Sequence, residues 1–505
     1  MESHFPLSLA DVQARFGAAV YAASFVVAGE VACWLMREGD RKQLAIIAPA
    51  DAPGLAAFAG ADEPFADGLR LRCCPTGHAN AAALRRMLPW LQPVCLGLET
   101  SAGCGDRLGL ATPGHVQALQ ETLRAAPGAV IRPIFAQQSI REMERTGRTP
   151  IDVLDDATWG AFQAGWRGPV GADADHLKTV EHIDLCAAAG FTFFTIDPGA
   201  HVDAEADTAS AAAIERKVAD LPWADLDSSP ADLRARYGGR HCDLDDRRVA
   251  LAQEAVARAA AKYGRAVAHV ARLYRHLAAR GIPFELEVSV DETETPTSPV
   301  EHIYIASELR RLGVRWVSLA PRYVGRFEKG IDYIGDLDAL SRALAGHAAI
   351  ARALGPYKLS LHSGSDKFSV YPLLASAARG AVHLKTAGVS YLEALRVIAA
   401  TEPPLFREIA ALARRRYPQD RASYHVSANL ERVPEVAGLA DGDLPALLDD
   451  RDARQVLHVT FGSVLAAYRE PLLAALRAHE VEHHAALARC FKRHLVPFVS
   501  PAPSA

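Results

Sequence analysis

From residue 93 onward, short apolar runs alternate with stretches of helical spacing, and that rhythm limits what this chain can become. The runs are VCLGLE (94–99), AVIRPIF (129–135), GPVGA (168–172), FTFFTI (191–196), FELEVSV (284–290), RWVSLA (315–320), KLSLH (358–362) and AVHLK (381–385). Strands separated by helices cannot pair as hairpins, so they pair side by side in parallel. Eight such units predict an α/β fold of the TIM-type (β/α)8 barrel class. The helical spacers have start and stop chemistry: 298–313 opens at a Ser, and both it and 176–190 end at a Gly. The barrel is expected over residues 91–400, with a long helical insertion after strand four at about 204–283. Residues 1–90 form an N-terminal extension of uncertain fold. Residues 401–505 form a mostly helical C-terminal extension.

Strand side chains alternate between faces. In FELEVSVDE, Phe284, Leu286, Val288 and Val290 oppose Glu285, Glu287, Ser289 and Asp291. The same split puts His362 opposite Leu361, His383 and Lys385 opposite Leu384, and Arg322 opposite Val317 and Leu319. In a barrel the apolar face packs on the outer helices and the polar face points into the mouth, where active sites of this fold lie. The competing arrangement is an antiparallel sheet with one wetted face. It lacks support from hairpin turns.

Composition removes several classes of function. A net charge of −5 over 505 residues gives no basic footprint for nucleic acid. No apolar stretch reaches the length of a membrane span. Eight scattered cysteines without a C-x-x-C pair read as reduced thiols of a cytoplasmic protein. No phosphate-cradling GxxxxGK[ST] loop, helix-opening GxGxxG or G-x-S-x-G elbow occurs, which disfavours a nucleotide cofactor and a serine nucleophile.

What remains is imidazole and carboxylate at strand ends. His176, His362 and His383 with Glu287, Asp291 and Glu99 suit a divalent metal such as Zn, Mn, Ni or Co. In GADADHLKT, Asp175 beside His176 can act as general base or simply cap a helix. Of Asp291, Glu292 and Glu294, one or two are expected to cap the helix that begins near Pro299. Glu287 lies inside a strand, where burial suits it to proton transfer. Lys178, Arg322, Asp366, Lys367 and Lys385 are the substrate-binding candidates. His483 and His484 are expected to be solvated.

Four strings then carry a resemblance: KTVEHIDLCAAAGFTFFTIDPGAHVD (178–203), the run 285–336, YKLSLHSGSDKFSVYP (357–372) and VHLKTAGVSYLEALR (382–396). They resemble the tagaturonate/fructuronate epimerase family over about residues 95–430. The resemblance implies a cytoplasmic isomerase that inverts C4 of a keto-hexuronate with a divalent metal. By resemblance, Asp175 and Glu287 would transfer protons, His176 and His362 would be metal ligands, and His383 a third. The partner would be a small sugar acid, with no nucleic acid or membrane involved; oligomeric state stays open. A retro-aldol cut between C3 and C4 is the expected route. A metal-dependent aldolase or ketose 3-epimerase on the same barrel is the alternative. A sugar-acid sensor without metal is a second.

Overall fold

The computed structural model describes residues 7–245 and 247–499. Eight parallel strands close into a barrel: β1 (Ser101–Gly103), β2 (Arg132–Ser139), β3 (Gly171–Leu177), β4 (Phe193–Ile196), β5 (Glu285–Ser289), β6 (Ser318–Ala320), β7 (Lys358–Leu361) and β8 (Val382–Lys385). Each pairs with its sequence neighbour, and β8 pairs with β1. Leu286, Val288, Leu319, Leu359, Leu361, Val382 and Leu384 face the helices and share one buried core with them. The opposite face is polar well down the barrel: Glu285, Glu287, Ser318, Lys358, Ser360 and His383 are all buried. Leu96, Ile134 and Phe193, with Val317 against them, form a separate apolar cluster.

Three strands lie later in the chain than their apolar runs suggest. VCLGLE is not a strand. Gly97 adopts φ +70°, which breaks extension, and its N–H donates to the Glu285 carboxylate, while Leu96 joins the apolar cluster. β1 begins at Ser101 instead. β2 and β3 run on through Gln137, Gln138, Asp173 and Asp175, polar residues that read as loop but are buried in the fold.

The spacer helices start and stop where the caps direct. Thr179 caps Val180–Ala189, which ends at Gly190 in the left-handed region. Ser298 and Glu301 form a capping box on Pro299–Arg311. Asp175 and Asp291 therefore cap nothing and are free to face the mouth. The insertion after β4 holds helices Ala211–Ala219 and Pro230–Tyr237, and also a hairpin, Arg240–Asp243 with Arg248–Leu251, before the 27-residue helix Gln253–Ala279.

Residues 26–75 form a five-stranded antiparallel sheet. The helix after it, His78–Met87, is tied to the barrel helix Pro150–Gln163 by Arg85 and Asp155, 2.8 Å apart and both buried. The C-terminal extension is mainly helical: Pro403–Asp420, Arg451–Val459, Phe461–Ala478 and Glu480–Leu495. His483 is buried there, because its helix packs on Thr112–Ala125. The extension reaches the loop after β7 through Arg454, whose Nη2 donates to both Asp366 oxygens at 2.9 Å. No helix among the described residues is long and apolar enough to cross a membrane.

Both members of the Arg454–Asp366 pair are about nine-tenths buried. Breaking such a pair leaves one charge buried and unmatched. Arg454→Leu is expected to cost about 3–5 kcal/mol of stability, read as a fall in the thermal midpoint. An unchanged midpoint would mean that apolar packing alone docks the extension.

Candidate active site

Lys385, at the end of β8, lies on the barrel axis side of the sheet, buried. Its Nζ is 2.9 Å from Asp173, 2.8 Å from Asp175 and 2.9 Å from Glu287, and donates to Thr195 Oγ1 at 2.6 Å. Burial opposes its charge, but the three carboxylates hold its pKa well above the ordinary lysine value. Burial likewise would raise Glu287, yet Lys385 and His362 keep it well below the usual carboxylate range. Asp175 behaves the same way, held down by His176 and Lys385 against its burial.

Above this cluster two imidazoles face each other. Strict alternation along β3 would turn Asp175 and His176 to opposite faces. Instead the register against β4 shifts between Ala174 and Leu177, and His176 takes φ +52°. This bulge turns both adjacent side chains toward the mouth and returns Leu177 to the core. His362 follows β7 directly. His176 Nε2 lies 3.2 Å from His362 Nδ1. Each far ring nitrogen meets a carboxylate: His176 Nδ1 is 3.4 Å from Asp197, and His362 Nε2 is 2.6 Å from Glu287. Asp175 approaches His176 Nε2 at 3.8 Å, and Asp291 approaches His362 Nδ1 at 3.2 Å.

With the proton of each neutral ring on its far nitrogen, beside Asp197 and Glu287, both near nitrogens present lone pairs to each other, and Asp291 lies 3.2 Å from that of His362. Positive charge between them would satisfy all of these groups. Protons are one answer: burial would lower both rings, but Asp175 and Asp197 raise His176 to about 10, and Asp291 raises His362 to about 9. Two protonated rings then point N–H at N–H across 3.2 Å, which is repulsive. A divalent cation would resolve the conflict. Two nitrogens each about 2.1 Å from one ion lie about 3.0–3.4 Å apart at octahedral or tetrahedral angles. Ligand atoms of Asp175, His176 and His362 all lie within 4.8 Å of one another, so the donor set fits such an ion.

The other expected residues fall elsewhere. His383 faces the barrel interior two residues below Lys385. Its Nδ1 is 2.8 Å from Ser101 Oγ, burial holds its pKa below the ordinary value, and it is not in the donor group. Glu287 is completely buried and faces neither cavity at the mouth. Lys178 pairs with Asp197 at 3.1 Å. Arg322 lines the outer cavity. Asp366 and Lys367 turn away from it: Asp366 pairs with Arg454, and Lys367 Nζ donates to the carbonyls of Glu328, Ile331 and Ser365. Residues with no signal in the sequence complete the mouth: Asp197 after β4, Arg107 after β1, Lys329 after β6, and His458 from the C-terminal extension. An inner cavity of about 30 Å³, lined by Asp175, His176, His362 and Lys385, has room for an ion or a water. It shares Lys329, His362 and Ser363 with an outer cavity of about 300 Å³ lined by Asp291 and Arg322.

A barrel whose mouth gathers paired imidazoles, acid/base carboxylates and a cavity of this size is an enzyme for a small polar metabolite. The chain belongs to the tagaturonate epimerase family, whose members are isomerases; the family model matches residues 21–497. It is 44% identical over 481 residues to the tagaturonate/fructuronate epimerase of Thermotoga maritima, covering 95% of this chain and 96% of that protein. It is also similar to the crystal structure of the fructuronate-tagaturonate epimerase UxaE from Cohnella laeviribosi, with a TM-score of 0.88 and 35% identity over 97% of this chain and 99% of that one. A glycerol complex of the same Cohnella laeviribosi protein matches equally, at a TM-score of 0.88.

The imidazole pair makes the ion-free protein sensitive to alkali. Unfolded histidine titrates near pH 6.5. Rings raised to about 10 and 9 contribute stability that is complete below that pH and lost as pH climbs through those values. After chelator treatment, the thermal midpoint should fall between about pH 6.5 and 10. A flat profile would contradict the cationic pair.

Proposed function

We propose that this protein interconverts D-tagaturonate and D-fructuronate by inverting C4, with a divalent cation between His176 and His362. The observation that carries the reading is the pair of ring nitrogens converging at 3.2 Å, each backed by a carboxylate. Family membership supports the substrate, and the 300 Å³ outer cavity is of a size for a six-carbon keto acid. Asp175, His176 and His362 would hold the ion; Zn, Mn, Ni and Co all accept such donors. A cation there supplies Lewis acidity toward the ketone oxygen. Eight free cysteines suit a reducing cytoplasm.

The C4 hydrogen is not alpha to the C2 ketone, so a base cannot loosen it directly. Cleavage of C3–C4 avoids that problem. Asp291, which lines the outer cavity, takes the C4 hydroxyl proton. The C3–C4 electron pair moves toward the C2 carbonyl and C4 becomes an aldehyde. The aldehyde turns over and C3 attacks its other face; the new C4 oxygen takes its proton from the Lys385 ammonium, which lines the inner cavity beside Asp175, and the proton held by Asp291 passes back to Lys385 through water. Glu287 acts through its neighbours, fixing the His362 ring and sharing the Lys385 charge.

Two experiments test this. Asp291→Asn should lower kcat about 10²–10⁴-fold with little change in KM, as loss of a proton carrier does; full activity would remove Asp291 from the reaction. Carbon-labelled substrate incubated with a foreign aldehyde should yield a crossed product carrying C1–C3. No crossed product with any aldehyde tried would favour a route that leaves C3–C4 intact.

A further inference from the structure

The loop after β6 presents a lysine whose backbone is held by hydrogen bonds and whose charge has no acidic partner among the described residues. Four successive carbonyls, of residues 328–331, accept hydrogen bonds from buried side chains. Lys367 Nζ donates to Glu328 at 2.8 Å and to Ile331 at 2.5 Å. Gln455 Nε2 donates to the Lys329 carbonyl at 3.2 Å, and Arg454 Nε to that of Gly330 at 2.7 Å. Lys367, Gln455 and Arg454 are all buried. The Lys329 side chain lies where the two cavities meet and lines both. Most other cations at the mouth are engaged; Arg322, on the outer cavity alone, donates only to the Tyr323 carbonyl at 3.4 Å. Arg107 pairs with Glu142 at 2.6 Å, Arg141 lies 3.5 Å from Glu292, and Lys385 is surrounded by three carboxylates. Lys329 has no acidic partner among the described residues.

Beside it stands His458, completely buried in the same wall. Arg107 Nη2 lies 3.4 Å from its Nε2. An arginine only donates, so Nε2 accepts and the ring proton sits on Nδ1, which has no partner. A Cβ at Gly330 would lie 3.4 Å from that Nδ1, so the donor adjoins the residue after Lys329. An ammonium carried on this held backbone and an unfilled N–H in the same wall together match a carboxylate, one oxygen to each.

We propose that Lys329, with the Nδ1–H of His458, seats the carboxylate of the sugar acid and sets the enzyme's preference for uronates over neutral ketoses. This rests on the reading that the two cavities hold the substrate. The carboxylate is two carbons from C4, so the contact is the same before and after epimerisation and acts on binding rather than on the chemical step.

The test compares Lys329→Met with wild type on D-tagaturonate and on the neutral ketohexose that carries CH2OH in place of the carboxylate. KM for the acid should rise about 10–100-fold with kcat little changed, the size of one charge-assisted hydrogen bond. The ratio of kcat/KM, acid over neutral, should fall by a similar factor. Lys329→Arg should recover part of both, and His458→Asn should show a smaller loss in the same ratio. Equal loss on both substrates, or an unchanged KM for the acid, overturns the assignment. His362→Ala separates the two levels of argument. If it is inactive on both substrates while Lys329→Met keeps its selectivity, only the lysine is wrong. If it stays fully active, the location of the substrate site is wrong.

Discussion

The Lys385 ammonium, buried between carboxylates from β3 and β5, is the interaction on which the interior depends. Removing charges from water is costly, and a buried group of this kind survives only when each charge is closely matched. Here one cation satisfies three acids at 2.8–2.9 Å, and Thr195 takes a further donor. That match lets a barrel keep a polar interior instead of the layered apolar filling common to the fold. It also sets the electrostatics above it. Asp291 and Asp197 have no share of Lys385, and they act on the imidazole pair instead. The mouth is thus built to want positive charge at the point where His176 and His362 converge.

Local backbone choices deliver the groups to that point. One extra residue in β3 converts an alternating strand into one that presents Asp175 and His176 together. The αL conformation this demands is unfavourable for a non-glycine residue. It is sustained by the paired register of β3 with both neighbours. Gly388 shows the same pressure from the other side. Any Cβ there would collide with the His458 ring, so a glycine after β8 is what allows the C-terminal extension to reach the mouth. The extension is part of the site.

The barrel is legible because its signal is periodic: short apolar runs, several alternating at every second position, each followed by helical spacing; the first run is the exception, since the strand there is Ser101–Gly103. The structure departs from that rhythm where function interrupts it. β2 and β3 read as ending early because their final residues are polar; those of β3, Asp175 and His176, are polar because they line the inner cavity. Alternation and the family resemblance both point to His383 as a mouth residue. Alternation gives the face but not the depth; residues two apart on one strand differ by about 6.6 Å along it. Lys385 reaches the mouth and His383 stays beneath it. Asp366 and Lys367 were grouped with His362 by closeness in sequence, yet the chain turns at Ser363 and Asp366, both at positive φ, and carries them toward the extension. Lys329 and His458 left no local mark, since what singles them out is how distant segments meet.

The central claim is that a divalent cation replaces protons in the His176–His362 pair. Calorimetric titration of metal-free protein at pH 7.5, run in buffers of different ionisation enthalpy, measures the protons set free. The account predicts stoichiometric binding of one ion with release of between about one and two protons, because ligand imidazoles must deprotonate. Binding with no proton release, or release that survives replacement of both His176 and His362 by alanine, would contradict it.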